Sequence, residues 1–195
     1  MHPSVESGAY DLVLFDADGT LRRCTVANQP CPNRDDEWEL ITGVKEQLRA
    51  FSWQERGIMT GVVSNQAGVA LGYMTEPVAI QLVVDMFVDV FGFPPKQKLI
   101  RVCPHAPEMQ CSCRKPKPEM LRQCMWWANN TTPARTLYVG DLESDKQAAA
   151  NAGVDFLWAW EFFGKSQDEW IGWLSMRAEQ DRADELTRRM MALGA

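Results

Sequence analysis

The chain has 195 residues, 46% of them hydrophobic and 24% charged, with a net charge of -6. That length and balance suit one globular domain with a substantial core, and the acidic balance argues against a general nucleic-acid coat. No uninterrupted apolar stretch approaches the about 20 residues a membrane helix needs, and residues 1–10 lack the basic start and apolar centre of a signal peptide; a cytoplasmic protein without a membrane partner is expected.

Residues 10–15 read as a buried strand that runs into Asp16-Ala17-Asp18-Gly19-Thr20. In an extended chain residues i and i+2 point the same way, so Asp16 and Asp18 start on one side of the backbone. Gly19 lets the chain leave by a turn that a β-carbon would obstruct. Two adjacent carboxylates repel and cost desolvation, which calls for a cation or a proton; the alternative is an ordinary acidic turn. Residues 22–39 are polar and read as a loop or flap, in which Arg22, Arg23 and Arg34 either touch a substrate or balance Asp35, Asp36 and Glu37.

A helix is predicted over 43–56, with Val44, Leu48 and Phe51 on one face and Gly57 as its stop. A strand over 58–63 ends in Ser64-Asn65. A helix follows over 77–91, then a short strand over 99–102 and a helix over 118–129 that opens on Pro118. A strand over 136–139 ends in Gly140-Asp141, an alanine-rich helix stops at Gly153, and 154–158 is the last strand. Residues 1–165 are expected to form the main domain and 166–195 a C-terminal helical extension. Ser166 could cap a helix carrying Trp170, Ile171, Trp173 and Leu174, followed by a highly charged segment over 177–189. That helix either packs on the sheet by its aromatic end or binds a partner.

Alternating strands and helices predict an α/β fold, a Rossmann-like, doubly wound, mainly parallel sheet covered on both faces. Ligands of such sheets bind beyond the carboxyl ends of the strands, where Asp16, Asp18, Ser64 and Asp141 all fall. A carboxylate there can attack phosphorus, and a second carboxylic acid can protonate the leaving oxygen and later activate water. Phosphate and carboxylates repel, so Mg²⁺ held by hard oxygens and a lysine would be needed. Asp141 and Asp145 lie four apart at a helix start and could complete the magnesium site, although Asp145 could equally be a helix-start charge. Ser64 could donate to a phosphoryl oxygen or merely form a turn. With His2 and His105 the only histidines, a serine–histidine hydrolase has no obvious base. No glycine-rich loop followed by Lys-Ser/Thr points to a nucleotide-driven kinase.

Cys103, His105, Cys111 and Cys113 supply three thiols and one imidazole, the number that tetrahedral zinc requires. The alternatives are a disulfide within the loop or reduced cysteines without metal. A zinc here would be structural, and because Cys113 directly precedes Arg114-Lys115, fixing the loop would fix the lysine.

DADGT at 16–20, Ser64, Arg114-Lys115-Pro116 and GDLESD at 140–145 occur in one order, and on them the chain resembles the haloacid dehalogenase-like phosphatases of subfamily III, which have a minimal cap. The resemblance implies that Asp16 is the nucleophile and Asp18 the general acid/base. It further implies that Ser64 and Lys115 bind the phosphoryl group, and that Asn65 and Arg114 lie beside the substrate. Asp16, the main-chain carbonyl of Asp18 and Asp141 would hold Mg²⁺, with Asp145 in support. SNQAGVALGYMT at 64–75 and CPHAPEMQCSCRKPKPEM at 103–120 look like the heptose bisphosphate and histidinol phosphate phosphatases, except that Leu71 stands where those enzymes usually carry arginine and Glu119 where glycine is usual.

The expected function is therefore Mg²⁺-dependent hydrolysis of a small phosphorylated metabolite, a sugar (bis)phosphate or histidinol phosphate. The alternative is a polynucleotide 3′-phosphatase acting on a nucleic-acid 3′ end, with Lys96, Lys98, Arg101, Arg114, Lys115 and Lys117 as a basic strip. A more distant alternative is a non-catalytic, zinc-stabilised interaction module.

Overall fold

A computed structural model describes residues 1–26, 29 and 31–175. In chain order the strands are β1 (Leu12–Phe15), β2 (Arg22–Cys24), β3 (Trp38–Leu40), β4 (Met59–Asn65), β5 (Ile100–Cys103), β6 (Thr136–Gly140) and β7 (Asp155–Trp158). The helices are α1 (Pro3–Glu6), α2 (Val44–Arg49), α3 (Glu76–Phe91), α4 (Glu119–Trp127), α5 (Glu143–Ala152) and α6 (Ala159–Phe162). No helix among the described residues is long and apolar enough to cross a membrane.

Five strands form one sheet in the order β5-β4-β1-β6-β7, every pair parallel, with Phe15 beside Val62 on one side and Val139 on the other. The chain lays β4 and β5 to one side of β1, then crosses back to lay β6 and β7 on the other. The crevice of a doubly wound sheet opens where the order reverses, between β1 and β6. Asp16 follows β1 and Asp141 follows β6, so the topology alone brings them to one spot.

Both faces of the sheet are covered, which is why β1 is apolar throughout rather than alternating. Val13 and Phe15 enter one core with Val83, Phe87 and Phe91 of α3, while Leu12 and Leu14 enter the other with Leu121 and Cys124 of α4 and Ala148 and Ala149 of α5. Each large apolar side chain so buried contributes about 1.5–3 kcal/mol. That burial on two faces holds the strand ends at fixed spacing.

Two elements differ from the sequence expectation. The helix predicted over 43–56 stops at Arg49, because the buried Trp53 turns its indole N–H onto the Leu48 carbonyl at 2.8 Å and takes the acceptor that a continuing helix would use. The predicted flap is not all loop, since β2 and β3 pair antiparallel with Arg23 opposite Glu39. After α6, residues 167–175 are helical, and Ser166 caps them by accepting from the Glu169 N–H at 3.2 Å. Trp170 of this helix stacks on Phe163 and donates its indole N–H to the Gly19 carbonyl at 2.8 Å. The charged segment over 177–189 lies outside the described residues.

Candidate active site

The site stands on the carboxyl ends of β1, β4 and β6, which deliver Asp16, Ser64 and Asp141. The turn after β1 needs Gly19. Its φ is +89°, and a Cβ there would stand 2.2 Å from Oδ2 of Asp141, so any side chain would drive that carboxylate away from Asp16. Gly140 gives the matching clearance on β6, where a Cβ would meet the Cβ of Asp145 at 2.5 Å.

Lys115 ties the strand ends together. Its buried Nζ lies 2.6 Å from Asp16 Oδ1 and 2.7 Å from Asp145 Oδ1, and it donates to the Val63 carbonyl at 3.0 Å and the Tyr138 hydroxyl at 2.9 Å. Burial works against a charged ammonium, but Asp145 and Asp16 outweigh it and hold Lys115 above the usual lysine range. Burial pushes Asp16 well above the usual carboxylate range; Lys115 pulls it back, and Asp145, Asp141 and Asp18 add to the rise. Asp141 is pushed up to about 7, again by burial first and by Asp145 second, against a 3.0 Å hydrogen bond from Thr20.

Carboxylate oxygens of Asp16, Asp141 and Asp145 lie within 4.8 Å of one another. Two buried carboxylates and the partly buried Asp141 stand around one ammonium, which pairs with Asp16 and Asp145, so the cluster lacks positive charge. Hard oxygen donors at that spacing, above a floor that only glycine leaves clear, fit Mg²⁺. Asp141 and Asp145 do not meet as neighbours on one helix face, as their spacing predicts. Helix α5 begins at Glu143, after Asp141, and Asp145 folds back to accept from the Leu142 N–H at 3.0 Å. Its other oxygen serves Lys115 and, at 3.0 Å, the hydroxyl of Tyr138.

Asp18 is gripped from two sides. Its Oδ1 accepts from Arg22 Nε at 2.8 Å and its Oδ2 from Gln66 Nε2 at 2.7 Å, and the same Nε2 donates to Ser64 Oγ at 2.7 Å. Arg22 is therefore neither a substrate contact nor a balance for the flap acids; it is wholly buried against Asp18. Arg34 does balance those acids, pairing with Glu37 at 2.8 Å, and Arg23 pairs with Glu39. Both ends of the Asn65 amide are taken by the backbone of Lys115, at 3.1 and 3.3 Å, so this residue seats the lysine. A cavity of about 270 Å³ opens on Asp16, Asp18, Ser64, Arg114 and Lys115, with Cys31 of the flap in its wall.

The predicted metal loop closes on itself. Five of the six pairs among the donor atoms of Cys103, His105, Cys111 and Cys113 stand at 3.3–3.6 Å and all lie within 4.8 Å, close to the edges of a tetrahedron with metal–ligand bonds of about 2.0–2.3 Å. All six cysteines are free, so no disulfide spans the loop. Burial pushes Cys103 up to about 12. Burial also opposes the Cys111 thiolate, but the Arg114 N–H and the neighbouring thiols bring it down to about 7. These residues could hold zinc. The loop also holds Arg114, whose guanidinium donates to the His105 carbonyl at 3.0 Å.

The six basic residues between 96 and 117 do not form one strip. Lys96 contacts Met59 and Lys98 lies over Trp127, at the amino end of the sheet, while Lys115 is buried at the opposite end. Gln66, Arg22 and Tyr138 are missing from the sequence-derived site. Gln66 lies inside the SNQAG run, but no local pattern marks its partner across the turn, and Tyr138 on a buried strand reads as core.

Among relatives, the chain is 35% identical over 150 residues to D-glycero-beta-D-manno-heptose-1,7-bisphosphate 7-phosphatase of Haemophilus ducreyi, covering 73% of this chain and 78% of that protein. It is 31% identical over 157 residues to the histidine biosynthesis bifunctional protein HisB of Legionella pneumophila, covering 75% of this chain and 40% of that protein. The crystal structure of D,D-heptose 1,7-bisphosphate phosphatase from B. bronchiseptica, complexed with magnesium and phosphate, superposes with a TM-score of 0.59 at 27% identity and covers 75% of this chain and 78% of that one. The parallel sheet, its carboxylate rim and these relatives define a phosphatase of the haloacid dehalogenase-like class. Within that class, the chain belongs to the polynucleotide kinase 3 phosphatase family, whose model matches residues 11–163.

Proposed function

We propose that the protein is a Mg²⁺-dependent phosphomonoesterase that works through an aspartyl-phosphate on Asp16 and acts on a sugar phosphate or histidinol phosphate. One observation carries it: Asp16, Asp18, Ser64 and Lys115 line a single cavity at the topological switch point of the sheet. Asp16 attacks phosphorus as the bond to the leaving oxygen breaks, and Asp18 gives that oxygen its proton. Asp18 then takes a proton from water, the water oxygen bonds to phosphorus, and Asp16 is released. Lys115 and the Ser64 hydroxyl meet the phosphoryl oxygens, and Arg114 stands at the cavity wall to orient the rest of the substrate. Mg²⁺ bound by Asp16, Asp141 and the Asp18 carbonyl, with Asp145 in support, would neutralise the charge that three carboxylates and a phosphate accumulate. Zinc on Cys103, His105, Cys111 and Cys113 would hold the loop that presents Arg114 and Lys115.

The substrate class rests on the heptose bisphosphate and histidine-biosynthesis relatives. The family match over 11–163 favours a second reading, a nucleic-acid 3′-phosphate, while the dispersal of the basic residues weighs against it. A panel of sugar phosphates, sugar bisphosphates, histidinol phosphate and 3′-phosphorylated oligonucleotides, assayed with Mg²⁺, tests both. The expected result is turnover of a small phosphate ester with little salt dependence. Preferred turnover of oligonucleotides, with affinity falling steeply as salt rises, would overturn the metabolite assignment.

A further inference from the structure

Gln66 is completely buried, and its amide nitrogen sits between the two groups assigned to proton transfer and phosphoryl binding. A carboxylate only accepts hydrogen bonds, so the amide turns its nitrogen towards Asp18 and its two N–H groups divide between Asp18 Oδ2 and Ser64 Oγ. The division has a chemical consequence on each side. Ser64 has one hydroxyl proton; because its oxygen already accepts from Gln66, that proton is free to be donated to a phosphoryl oxygen. Asp18 keeps further lone pairs on both oxygens, and its plane is fixed by Gln66 on one oxygen and Arg22 Nε on the other.

The arrangement is costly elsewhere. Among the described residues the Gln66 Oε1 atom is buried with no hydrogen-bond partner, and so is Nη2 of Arg22, whose Nη1 donates to the Leu82 carbonyl of α3. Buried polar atoms in this state lower stability, and two of them flank the same carboxylate.

We propose that Gln66 is a positioning residue that sets the Asp18 carboxylate for proton transfer and the Ser64 hydroxyl for phosphoryl binding, with Arg22 holding Asp18 from its far side. This rests on the functional reading above, which assigns those two roles. The two positioning residues have different reach, since Gln66 touches both groups and Arg22, of those two, touches only Asp18.

The test compares wild type, Gln66→Leu, Gln66→Glu and Arg22→Met with Mg²⁺ on aryl and alkyl phosphates that span good and poor leaving groups, alongside inhibition by inorganic phosphate and thermal melts. In both Gln66 variants kcat/KM falls more for poor leaving groups than for good ones, by roughly tenfold or more at the poor end. Phosphate inhibition weakens by roughly tenfold as well. Arg22→Met steepens the leaving-group dependence and leaves phosphate inhibition unchanged. Gln66→Glu keeps the side-chain shape, so it decides the matter if the leucine variant does not fold. Folded Gln66 variants with wild-type leaving-group dependence and phosphate inhibition would overturn the proposal. Wild type that hydrolyses no phosphate ester, or keeps full activity as Asp16→Asn, would instead sink the functional reading.

Discussion

The cysteine loop and the carboxylate rim gather metal-ligating side chains in opposite ways. In the loop, three thiols and one imidazole from residues 103–113 gather within 4.8 Å of one another, five of their six pairs at 3.3–3.6 Å. At the rim, hard oxygens come from Asp16 and Asp141 at two strand ends far apart in sequence and from Asp145 in the first turn of α5; Lys115 pairs with Asp16 and Asp145, and Asp16 faces a cavity of about 270 Å³. A saturated local set is suited to holding backbone, and an undersaturated set drawn together by tertiary structure is suited to chemistry on a charged ligand. The two meet at Arg114-Lys115, where the loop's last thiol precedes the lysine that enters the rim.

The contrast breaks most sharply at the proposed nucleophile. Asp16→Asn should lower kcat by at least about 10⁴-fold, measured as phosphate release from an aryl phosphate, while the melting temperature holds or rises because one buried carboxylate is neutralised. Lys115→Met should come next. It leaves Asp16 and Asp145 without their counter-charge and should destabilise the metal-free protein by about 3–5 kcal/mol in urea titrations, with the deficit shrinking when Mg²⁺ is added. A deficit indifferent to Mg²⁺ would mean that the rim binds no divalent ion.

The loop should fail differently. Stripping the proposed zinc with a chelator, or substituting Cys111→Ser, should raise KM by about tenfold or more before it lowers the folded fraction, with hydrogen exchange rising over residues 103–117 and not in β1 or β6. If the sheet melts together with the loop, the division of labour between the two regions is wrong.

What the sequence made legible follows the same division. Asp16, Asp18, Ser64, Asp141 and the four loop ligands are each marked by a short local pattern: a strand end, a glycine turn, or close cysteine spacing. Local pattern also carries β1, an unbroken apolar strand, and α3, whose apolar positions recur over 16 residues. The partners that orient these groups carry no such mark. Arg22 lies in a polar stretch that reads as flap, and only the fold shows it buried against Asp18. The resemblance places Asn65 beside the substrate, and it does line the cavity, but nothing in the sequence marks its amide's partner, the Lys115 backbone 50 positions away. The early end of α2 depends on Trp53 turning back onto Leu48, a choice between two acceptors that periodicity does not register.

Smaller effects sharpen the picture of the rim. Tyr138→Phe removes a hydroxyl shared by Lys115 and Asp145 without changing volume, and should cost about 1 kcal/mol in stability with a several-fold loss of kcat/KM. The pH dependence of the metal-free protein gives the weakest signal. Asp141 is raised to about 7 when folded, so between about 4 and 7 the folded state holds a proton that the unfolded state has lost. Stability without Mg²⁺ should therefore fall as pH rises through that window, and added Mg²⁺ should flatten the slope; denaturant titrations at several pH values measure both.

The central claim is that Asp16 carries the phosphoryl group. Rapid acid quenching during turnover with Mg²⁺, followed by peptide mapping by mass spectrometry, tests it most directly. A phosphoryl adduct on Asp16 that forms and decays within the turnover time is the predicted result; turnover with no adduct, or with the adduct on another residue, would contradict the account.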